Sequence, residues 1–362
     1  MSWTQLVVVP VLSVLLLVHE LGHFVAARLA GIKVEEFGFG LPPRIFGVRR
    51  GEIIYSLNWI PLGAFVRMMG EDGADSDDDR SFINKSKLAR SAVLFAGPAM
   101  NFIAAALLFM AAYVAGWPTP TSMEVYVFKV NEDSPAASSG IQPGDKIIAL
   151  DGQKINTADE FVKGTRAKLG QEVMVTIERD GAEYQKRLVP RTRWPEGEGP
   201  LGIGLQGKVL EIKPVSYPLY RAFFLGFERA WQMVAFTLTV PVMIVQGIIP
   251  AELARPIGPV GIFQITTQAA EYAADTGWWF PLISITATIS AGLAVANLLP
   301  FPALDGGRLF LIGVEAIRRK RIAPEQEGML HFVGLMVLIA LMMVVSYWDI
   351  VAPIPNVDWG GN

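Results

Sequence analysis

Residues 4–30 read TQLVVVPVLSVLLLVHELGHFVAARLA, and this stretch decides what kind of fold the chain can adopt. It exceeds the roughly 20 apolar residues that a helix needs to cross a bilayer, so it predicts a membrane span. A secretory signal peptide would carry basic residues before its apolar run, and no lysine or arginine precedes this one. The run also contains His19, Glu20 and His23, so we expect it to remain uncleaved as the first span.

The pentapeptide His19-Glu20-Leu21-Gly22-His23 places two imidazoles four residues apart. On a helix these positions share a face, so both rings can bind one metal ion, and Glu20 is close enough to take a proton from a water molecule there. The alternative is a pair of packing histidines with this spacing by chance. Ionisable groups inside a span cost several kcal/mol unless something pairs them, which favours the metal site.

The composition supports a membrane protein and limits the metal chemistry. Hydrophobic residues make up 52% of the 362 residues, and the mean hydropathy is +0.38. The net charge of −3 gives no basic face of the kind that nucleic-acid binding needs. There are no cysteines, so any zinc site must combine His with Asp or Glu, and two of the only three histidines lie in the first span.

Further apolar stretches and the positions of basic residues predict the membrane topology. The additional candidate spans are residues 88–117, 227–250, 278–300 and 329–351. Lysine and arginine are concentrated in residues 31–90 and in a second cluster further along the chain, Arg-Arg-Lys-Arg at 318–321. Because such clusters mark the cytoplasmic side, we predict that both are cytoplasmic and that the amino terminus lies outside.

Residues 227–250 are predicted not to cross the membrane fully. The region before them is predicted to lie outside and the second basic cluster inside, so an odd number of crossings must separate the two. Residues 278–300 supply one crossing, which leaves 227–250 as an interfacial or re-entrant segment. Pro241 and the charged residues Glu228 and Arg229 fit this interpretation.

Two regions between the spans are predicted to contain strands. Residues 124–190 are mixed and charged, with strand-like alternation separated by turn signals, and they predict a small soluble α+β domain. Within it, a helix is predicted to begin at Ala158 after a Thr157 cap. Residues 51–69 predict a membrane-associated β-hairpin, and the acidic run at 71–79 is interpreted as a solvated loop.

A catalytic zinc ion has three protein ligands, so the histidine pair needs a third. One common pattern places a third histidine six residues after the second, but Leu29 is there, and Glu35 and Glu36 fall in the loop that leaves the membrane. Asp305 is the best distant candidate, within NLLPFPALDGGR at 297–308, where prolines break the helix and glycines permit close approach. On spacing alone, Asp305 is equally consistent with a loop residue that caps a helix.

The chain resembles a bacterial site-2 protease, an intramembrane zinc metalloprotease of regulated intramembrane proteolysis. The resemblance rests on HELGH at 19–23, GPAMN at 97–101, GPVG at 258–261, and the NLLP and LDGG motifs within 297–307. It implies that Asp305 is the third Zn²⁺ ligand and that Glu20 is the general base. It also implies a location in the bacterial inner membrane. The implied substrates are single-span membrane proteins, such as anti-sigma factors or signal-peptide remnants, cleaved within their transmembrane segments.

Residues 124–190 resemble a PDZ domain through SPAA at 134–137 and SGIQPGDKI at 139–147. Such domains bind extended peptides by strand addition, so a peptide ligand is one expectation, and exclusion or sensing of large substrates is another. The fold prediction is a multi-span α-helical membrane protein with about four spans, an interfacial or re-entrant segment, a membrane-associated β-hairpin and an inserted, extracytoplasmic α+β PDZ domain. The PDZ domain separates an amino-terminal membrane half, 1–123, from a carboxy-terminal membrane half, 191–362.

Substrate contacts are predicted in two places. The family resemblance places an asparagine at Asn297, whose amide could hold a substrate backbone or polarise its carbonyl; the alternative is a hydrogen bond between helices. The Gly51–Met69 hairpin is predicted to capture the unwound substrate as an added strand, with Ile53, Tyr55 and Leu57 as its substrate-binding residues.

Two other polar residues and two rival functions complete the predictions. Asn101 is interpreted as structural and His331 as interfacial. A metal transporter would distribute polar residues along a pathway, whereas here they gather at one depth. A membrane scaffold that merely displays the PDZ domain would need neither Glu20 nor a zinc site.

Overall fold

The computed structural model describes residues 3–71, 78–195, 197–250 and 255–359. The chain divides into two compact units, which we call the membrane unit (Met1–Trp117 and Ser216–Asp358) and the insert unit (built on Pro118–Val215). The helices are α1 (Trp3–Leu6), α2 (Val8–Leu29), α3 (Lys87–Gly116), α4 (Pro135–Ser138), α5 (Ala158–Arg166), α6 (Leu219–Val245), α7 (Pro259–Thr276), α8 (Phe280–Leu298), α9 (Asp305–Arg318) and α10 (Pro324–Val351). The strands are β1 (Val34–Arg50), β2 (Ile53–Met68), β3 (Trp117–Val130), β4 (Lys146–Leu150), β5 (Gln153–Lys154), β6 (Val173–Arg179), β7 (Ala182–Leu188) and β8 (Ile203–Val215).

Four helical segments among the described residues are long and apolar enough to cross a membrane. They are Trp3–Leu29, Lys87–Gly116, Phe280–Leu298 and Glu325–Val351, and each overlaps a stretch that the sequence predicted to span. The last of these buries the smallest share of its surface inside the protein, as expected for a helix whose apolar side chains face lipid.

Helices α2 and α3 pack closely because a glycine lies at their crossing. A Cβ atom on Gly22 would lie 2.3 Å from the carbonyl oxygen of Ala96, so only glycine permits this approach. Small residues at helix contacts are the usual means of close packing in membranes, where no hydrophobic effect drives helices together. The third residue between the two histidines therefore serves helix packing.

Helix α6 contains most of the segment predicted to be interfacial or re-entrant. It is one continuous helix from Leu219 to Val245, although it contains Pro241. Its first half runs antiparallel along α3: Tyr217 N donates to the carbonyl oxygen of Tyr113, and the rings of Phe227 and Phe102 lie 6.3 Å apart. The chain does not turn back within this helix, so a re-entrant turn in residues 227–250 would have to follow Val245, and the interfacial or re-entrant placement stays a prediction.

Strands β1 and β2 form more than a simple hairpin, because each bends and contributes two segments to one sheet. Residues 53–58 have partners on both sides: Tyr55 is level with Val48 on one side and with Phe37 on the other. Residues 34–41 likewise lie between 53–58 and 60–68. The edges of this sheet are therefore residues 44–50 and 60–68, while 53–58 lie inside it.

The exposed tip of this sheet is strongly apolar. Ile45, Phe46, Trp59 and Ile60 expose between 47% and 67% of their surfaces. A soluble protein rarely exposes such a patch, so the tip supports the prediction of a membrane-associated β-structure.

The insert unit is a six-stranded sheet in the order β7-β6-β4-β3-β8, with β5 paired to β4. Helix α5 begins at Ala158, and Thr157 accepts a hydrogen bond from Glu160 N, as the sequence predicted. The apolar core includes Val127, Phe161 and Val175. The sheet extends beyond the predicted limits of 124–190, because it includes β8. The sequence did not predict β8, because its glycine, lysine and proline residues interrupt a clear strand pattern.

Candidate metal centre

His19 and His23 lie one turn apart on α2, and both side chains are buried, with 6% and 5% exposure. Their Nε2 atoms are 3.1 Å apart. His23 Nδ1 lies 2.8 Å from the carbonyl oxygen of Val93. Because a carbonyl only accepts, this nitrogen must carry the hydrogen, which leaves a lone pair on His23 Nε2.

Asp305 reaches this pair from the far end of the sequence. Its Oδ2 lies 3.1 Å from His19 Nε2 and 3.4 Å from His23 Nε2. The turn before α9 places it there, and Ala303 in that turn has a φ of 81°. Cβ atoms on Gly306 and Gly307 would lie 2.3 Å from the carbonyl oxygens of Leu299 and Phe301, so the paired glycines are required for this close turn.

Helix α3 forms the wall behind the imidazoles, and one face of it carries three contacts. Val93 holds His23, and Asn101 Nδ2 lies 3.1 Å from His19 Nδ1. Gly97 lies between them, where a Cβ would be 2.4 Å from His23 Nε2 and 2.8 Å from His19 Cε1. Residues 93, 97 and 101 are spaced by four, so they share a face of the helix. The GPAMN motif thus supplies both the space for the rings and one polar contact to them.

Glu20 is half-buried beside the pair, and its Oε2 accepts a hydrogen bond of 3.1 Å from Val66 N on the edge segment 60–68. Glu20 and the two histidines also have ligand atoms within 4.8 Å of one another, so two carboxylates are candidates for the third ligand. Asp305 Oδ2 lies 3.1 Å and 3.4 Å from the Nε2 atoms of His19 and His23, well within that distance, whereas Glu20 Oε2 is engaged by Val66 N. The geometry therefore favours Asp305 as the ligand and leaves Glu20 free for proton transfer.

The donor set fits zinc. Bonds of about 2.0–2.1 Å at tetrahedral angles separate the ligand atoms by about 3.3–3.4 Å. The three atoms contributed by His19, His23 and Asp305 are separated by 3.1, 3.1 and 3.4 Å. Two imidazole nitrogens and a carboxylate oxygen are also a ligand set found in catalytic zinc sites.

The predicted substrate-binding residues lie apart from this cluster or are already engaged. Asn297 is in the last turn of α8, half-buried, and no hydrogen bond of its side chain is seen within the described parts of the chain. Ile53 is buried, whereas Tyr55 and Leu57 are 37% and 46% exposed. The prediction that a substrate strand pairs along these three residues is wrong for the backbone, because that segment already has neighbours on both sides.

Sequence reasoning missed three contributors to the site. Val93 and Val66 act through backbone atoms, and their side chains gave no signal. His331, predicted to be interfacial, accepts a 2.9 Å hydrogen bond at Nδ1 from Ala303 N and so helps to hold the turn that carries Asp305. Its position as the only histidine outside the first span was the available clue.

Comparisons with known proteins point to one family. The profile described as Peptidase family M50 matches residues 7–341. The chain belongs to peptidase family M50. This M50 chain is 38% identical over 344 residues to a predicted zinc metalloprotease of Clostridium perfringens, covering 94% of this chain and 97% of that one. It is 31% identical over 421 residues to the zinc metalloprotease RasP of Oceanobacillus iheyensis, covering 93% and 96%.

A solved structure also resembles part of the M50 chain. It is the PDZ domain of an SdrC-like protein of Listeria monocytogenes, 28% identical, which covers 22% of this chain and 85% of that domain with a TM-score of 0.21. From the family and the apolar helices, the M50 chain is a membrane metalloprotease, and Zn²⁺ is its expected cofactor.

Proposed function

We propose that this protein hydrolyses peptide bonds within the transmembrane segments of single-span membrane proteins. His19, His23 and Asp305 hold the zinc ion, which supplies Lewis acidity for attack of water on the scissile carbonyl. Glu20 takes the proton from the attacking water and returns it to the leaving amine. Asn297 binds the substrate backbone near the cleaved bond.

One observation carries this proposal. Two buried imidazoles and a carboxylate converge within 3.1–3.4 Å inside a unit whose helices are long and apolar enough to cross a membrane. Buried ionisable groups are expensive in such a setting unless they bind something. Hydrolytic residues among membrane-spanning helices can reach peptide bonds within the bilayer, which soluble proteases cannot reach.

The substrate reaches the site as an extended strand along the edge segment 60–68. A helix hides its carbonyls in hydrogen bonds, so the substrate must unwind before cleavage, and pairing with an edge strand replaces the lost bonds. This edge lies along the helix that carries the histidines: Pro61 O accepts from Ser13 Oγ at 2.9 Å, and Val66 N donates to Glu20. A strand added there lies beside the proposed general base.

The insert unit is a PDZ domain on the extracytoplasmic side of a bacterial cell membrane. The basic clusters at 31–90 and 318–321 support this orientation. Helix α5 lies against the edge strand β8, and a helix beside a sheet edge is where such domains add a peptide strand. The insert unit therefore senses a substrate terminus or excludes substrates that still carry large outer domains. Anti-sigma factors and signal-peptide remnants are the substrate classes that fit this arrangement.

The proposal is tested by replacing the general base without disturbing the metal ligands. We expect Glu20→Gln to reduce cleavage of a model single-span substrate by about 10²–10⁴-fold while zinc per chain stays unchanged. Glu228→Gln is the matched control, because it makes the same change on an exposed helical residue. Full activity in Glu20→Gln would contradict the proposal. A wild-type protein that loses its zinc during gentle purification and shows no activity at any stage would contradict it as well.

A further inference from the structure

Asn101 is a fully buried polar residue beside the metal centre, and the proposed mechanism does not use it. It is 0% exposed, and its Nδ2 lies 3.1 Å from His19 Nδ1. In the same orientation of the amide, Oδ1 is buried and has no hydrogen-bond partner among the residues that the structure describes. If Asn101 served only to join two helices, we would expect its Oδ1 to accept a hydrogen bond from a neighbouring helix. Instead, the amide faces a nitrogen of His19.

The chemistry of the imidazole decides which end of this amide must face His19. When Nε2 binds a metal ion, Nδ1 carries the hydrogen and needs an acceptor. An NH₂ group facing Nδ1 would instead make that nitrogen the acceptor and place the hydrogen on Nε2, which points at His23 and Asp305. The oxygen and nitrogen of an amide are assigned from the hydrogen-bond network, so the end that faces Nδ1 follows from this chemistry.

We propose that Asn101 is a positioning residue of the zinc site: its Oδ1 accepts the hydrogen of His19 Nδ1 and so fixes the tautomer that leaves Nε2 free to bind zinc. This inference rests on the proposed function of the histidines as zinc ligands. Turning the amide over gives the partnerless Oδ1 a donor and His19 the acceptor that it needs. His19 is then held in the same way as His23, whose Nδ1 donates to the carbonyl oxygen of Val93.

The surroundings hold Asn101 in place for this contact. The backbone carbonyl oxygen of Asn101 accepts a 2.8 Å hydrogen bond from Ser290 Oγ on α8, and both residues are fully buried. Gly97, one turn earlier, lets the imidazoles lie directly against this face of α3, because a Cβ there would be 2.4 Å from His23 Nε2. Asn101 therefore acts on His19 from a fixed helix, as the partners of metal-bound histidines commonly do.

Zinc affinity, measured by competition with a chelator on the full-length protein in detergent, distinguishes this role from packing. Removing such a partner typically weakens metal binding by about 10–100-fold, so we expect that loss in Asn101→Leu. Asn101→Asp keeps an acceptor of similar size, and we expect it to restore most of the affinity. Ser290→Ala is the matched control: it disturbs the same contact between α3 and α8 but leaves the amide in place, and we expect affinity close to wild type.

Equal losses in Asn101→Leu, Asn101→Asp and Ser290→Ala would show a packing role and overturn the inference. A wild-type protein that binds no zinc would instead overturn the proposed function itself, so the two failures are distinguishable.

A direct measurement remains decisive even if the variants fold poorly. The chain has only three histidines, so ¹⁵N-histidine spectra of the zinc-loaded wild-type protein can be assigned to single residues. We expect the hydrogen on His19 Nδ1 to be shifted downfield and to exchange slowly, because the buried Asn101 Oδ1 accepts it. A hydrogen on His19 Nδ1 that shows no sign of a hydrogen bond, with zinc bound, would overturn the proposal.

Discussion

Around the histidines of α2 in the membrane unit, buried polar atoms gather at one point, where Val93, Asn101 and Asp305 each contact one of the two rings. In the insert unit, the buried carboxylate of Asp145 is satisfied locally, by Arg179 and by the backbone N–H of Gln142. The first arrangement leaves ligand atoms facing one another at 3.1–3.4 Å, whereas in the second both oxygens of Asp145 accept hydrogen bonds. We propose that the first cluster serves metal binding, whereas the second stabilises the insert unit.

This difference gives each unit its own response to substitution. Changes around the histidines should alter zinc binding and cleavage more than they alter folding. Changes around Asp145 should alter the stability of the insert unit and leave zinc in place. The following experiments test that separation, beginning with the largest expected effect.

Removing the proposed third ligand should have the largest effect. We expect Asp305→Ala to lose zinc and to reduce cleavage below detection, because two histidines alone leave the ion without its carboxylate. Zinc per chain and cleavage of a single-span substrate are measured together. Asp275→Ala, an exposed carboxylate on α7, is the control and should behave as wild type. Full zinc occupancy in Asp305→Ala would point to Glu20 as the third ligand instead.

Filling the space between the imidazoles and α3 should be nearly as damaging. A Cβ at Gly97 would lie 2.4 Å from His23 Nε2, so we expect Gly97→Ala to weaken zinc binding by about 10–100-fold, as other disturbances of ligand orientation do. Gly292→Ala is the matched control, because a Cβ there meets nothing within 4 Å on a comparable helix. If both variants bind zinc equally well, the wall formed by α3 has no part in shaping the site.

Substrate capture can be tested on a background that contains no cysteine. Single cysteines at Ala64, on the edge segment 60–68, and at Leu57, inside the sheet, are each paired with cysteines along a model substrate in the Glu20→Gln protein. Exposure favours Leu57, which is 46% exposed, over the half-buried Ala64. Strand addition favours Ala64, so we expect several-fold more disulfide cross-linking there. Preferential cross-linking at Leu57 would contradict strand addition at 60–68 and would indicate that the substrate binds along residues 53–58.

The insert unit should respond to acid through Asp145. Burial alone would raise the pKa of this carboxyl, but the hydrogen bonds from Arg179 and from Gln142 N outweigh it and hold the pKa below its usual value. The stability that this group contributes is therefore present above the unfolded pKa, about 3.9, and is lost as the pH falls towards the folded pKa. We expect Asp145→Asn to destabilise the insert unit by about 1–2 kcal/mol at neutral pH and to weaken this acid dependence.

Hydrogen exchange of the β6 amides in the full-length protein, corrected for the intrinsic rate at each pH, measures that loss. Zinc content is recorded on the same samples and should not change. Loss of zinc in Asp145→Asn would contradict the claim that substitutions in the insert unit leave zinc binding in the membrane unit unchanged.

The sequence alone was sufficient for residues whose chemistry is rare in their surroundings. His19, Glu20 and His23 stand out inside an apolar run, whereas the spacing of Asp305 left its role open, and only the family resemblance implied that it joins the histidines. The four apolar helices follow from length and hydropathy in the same way.

The remaining features depend on contacts that a linear pattern does not carry. Residues 53–58 and 60–68 both read as strands, and only their pairing shows that the first is internal and the second an edge. The partners of the histidines include the backbone oxygen of Val93 and an amide, Asn101, that reads equally well as a helix-packing residue. Helix α6 could not be placed because its course is set by packing against α3.

X-ray absorption at the zinc edge of the purified full-length protein tests the central claim most directly. We predict one zinc ion per chain with two imidazoles and oxygen ligands at about 2.0–2.2 Å, and a loss of both imidazole signals when His19 and His23 are replaced by alanine. A spectrum with one imidazole or none, or one unchanged in the double variant, would contradict a zinc centre built on this helix.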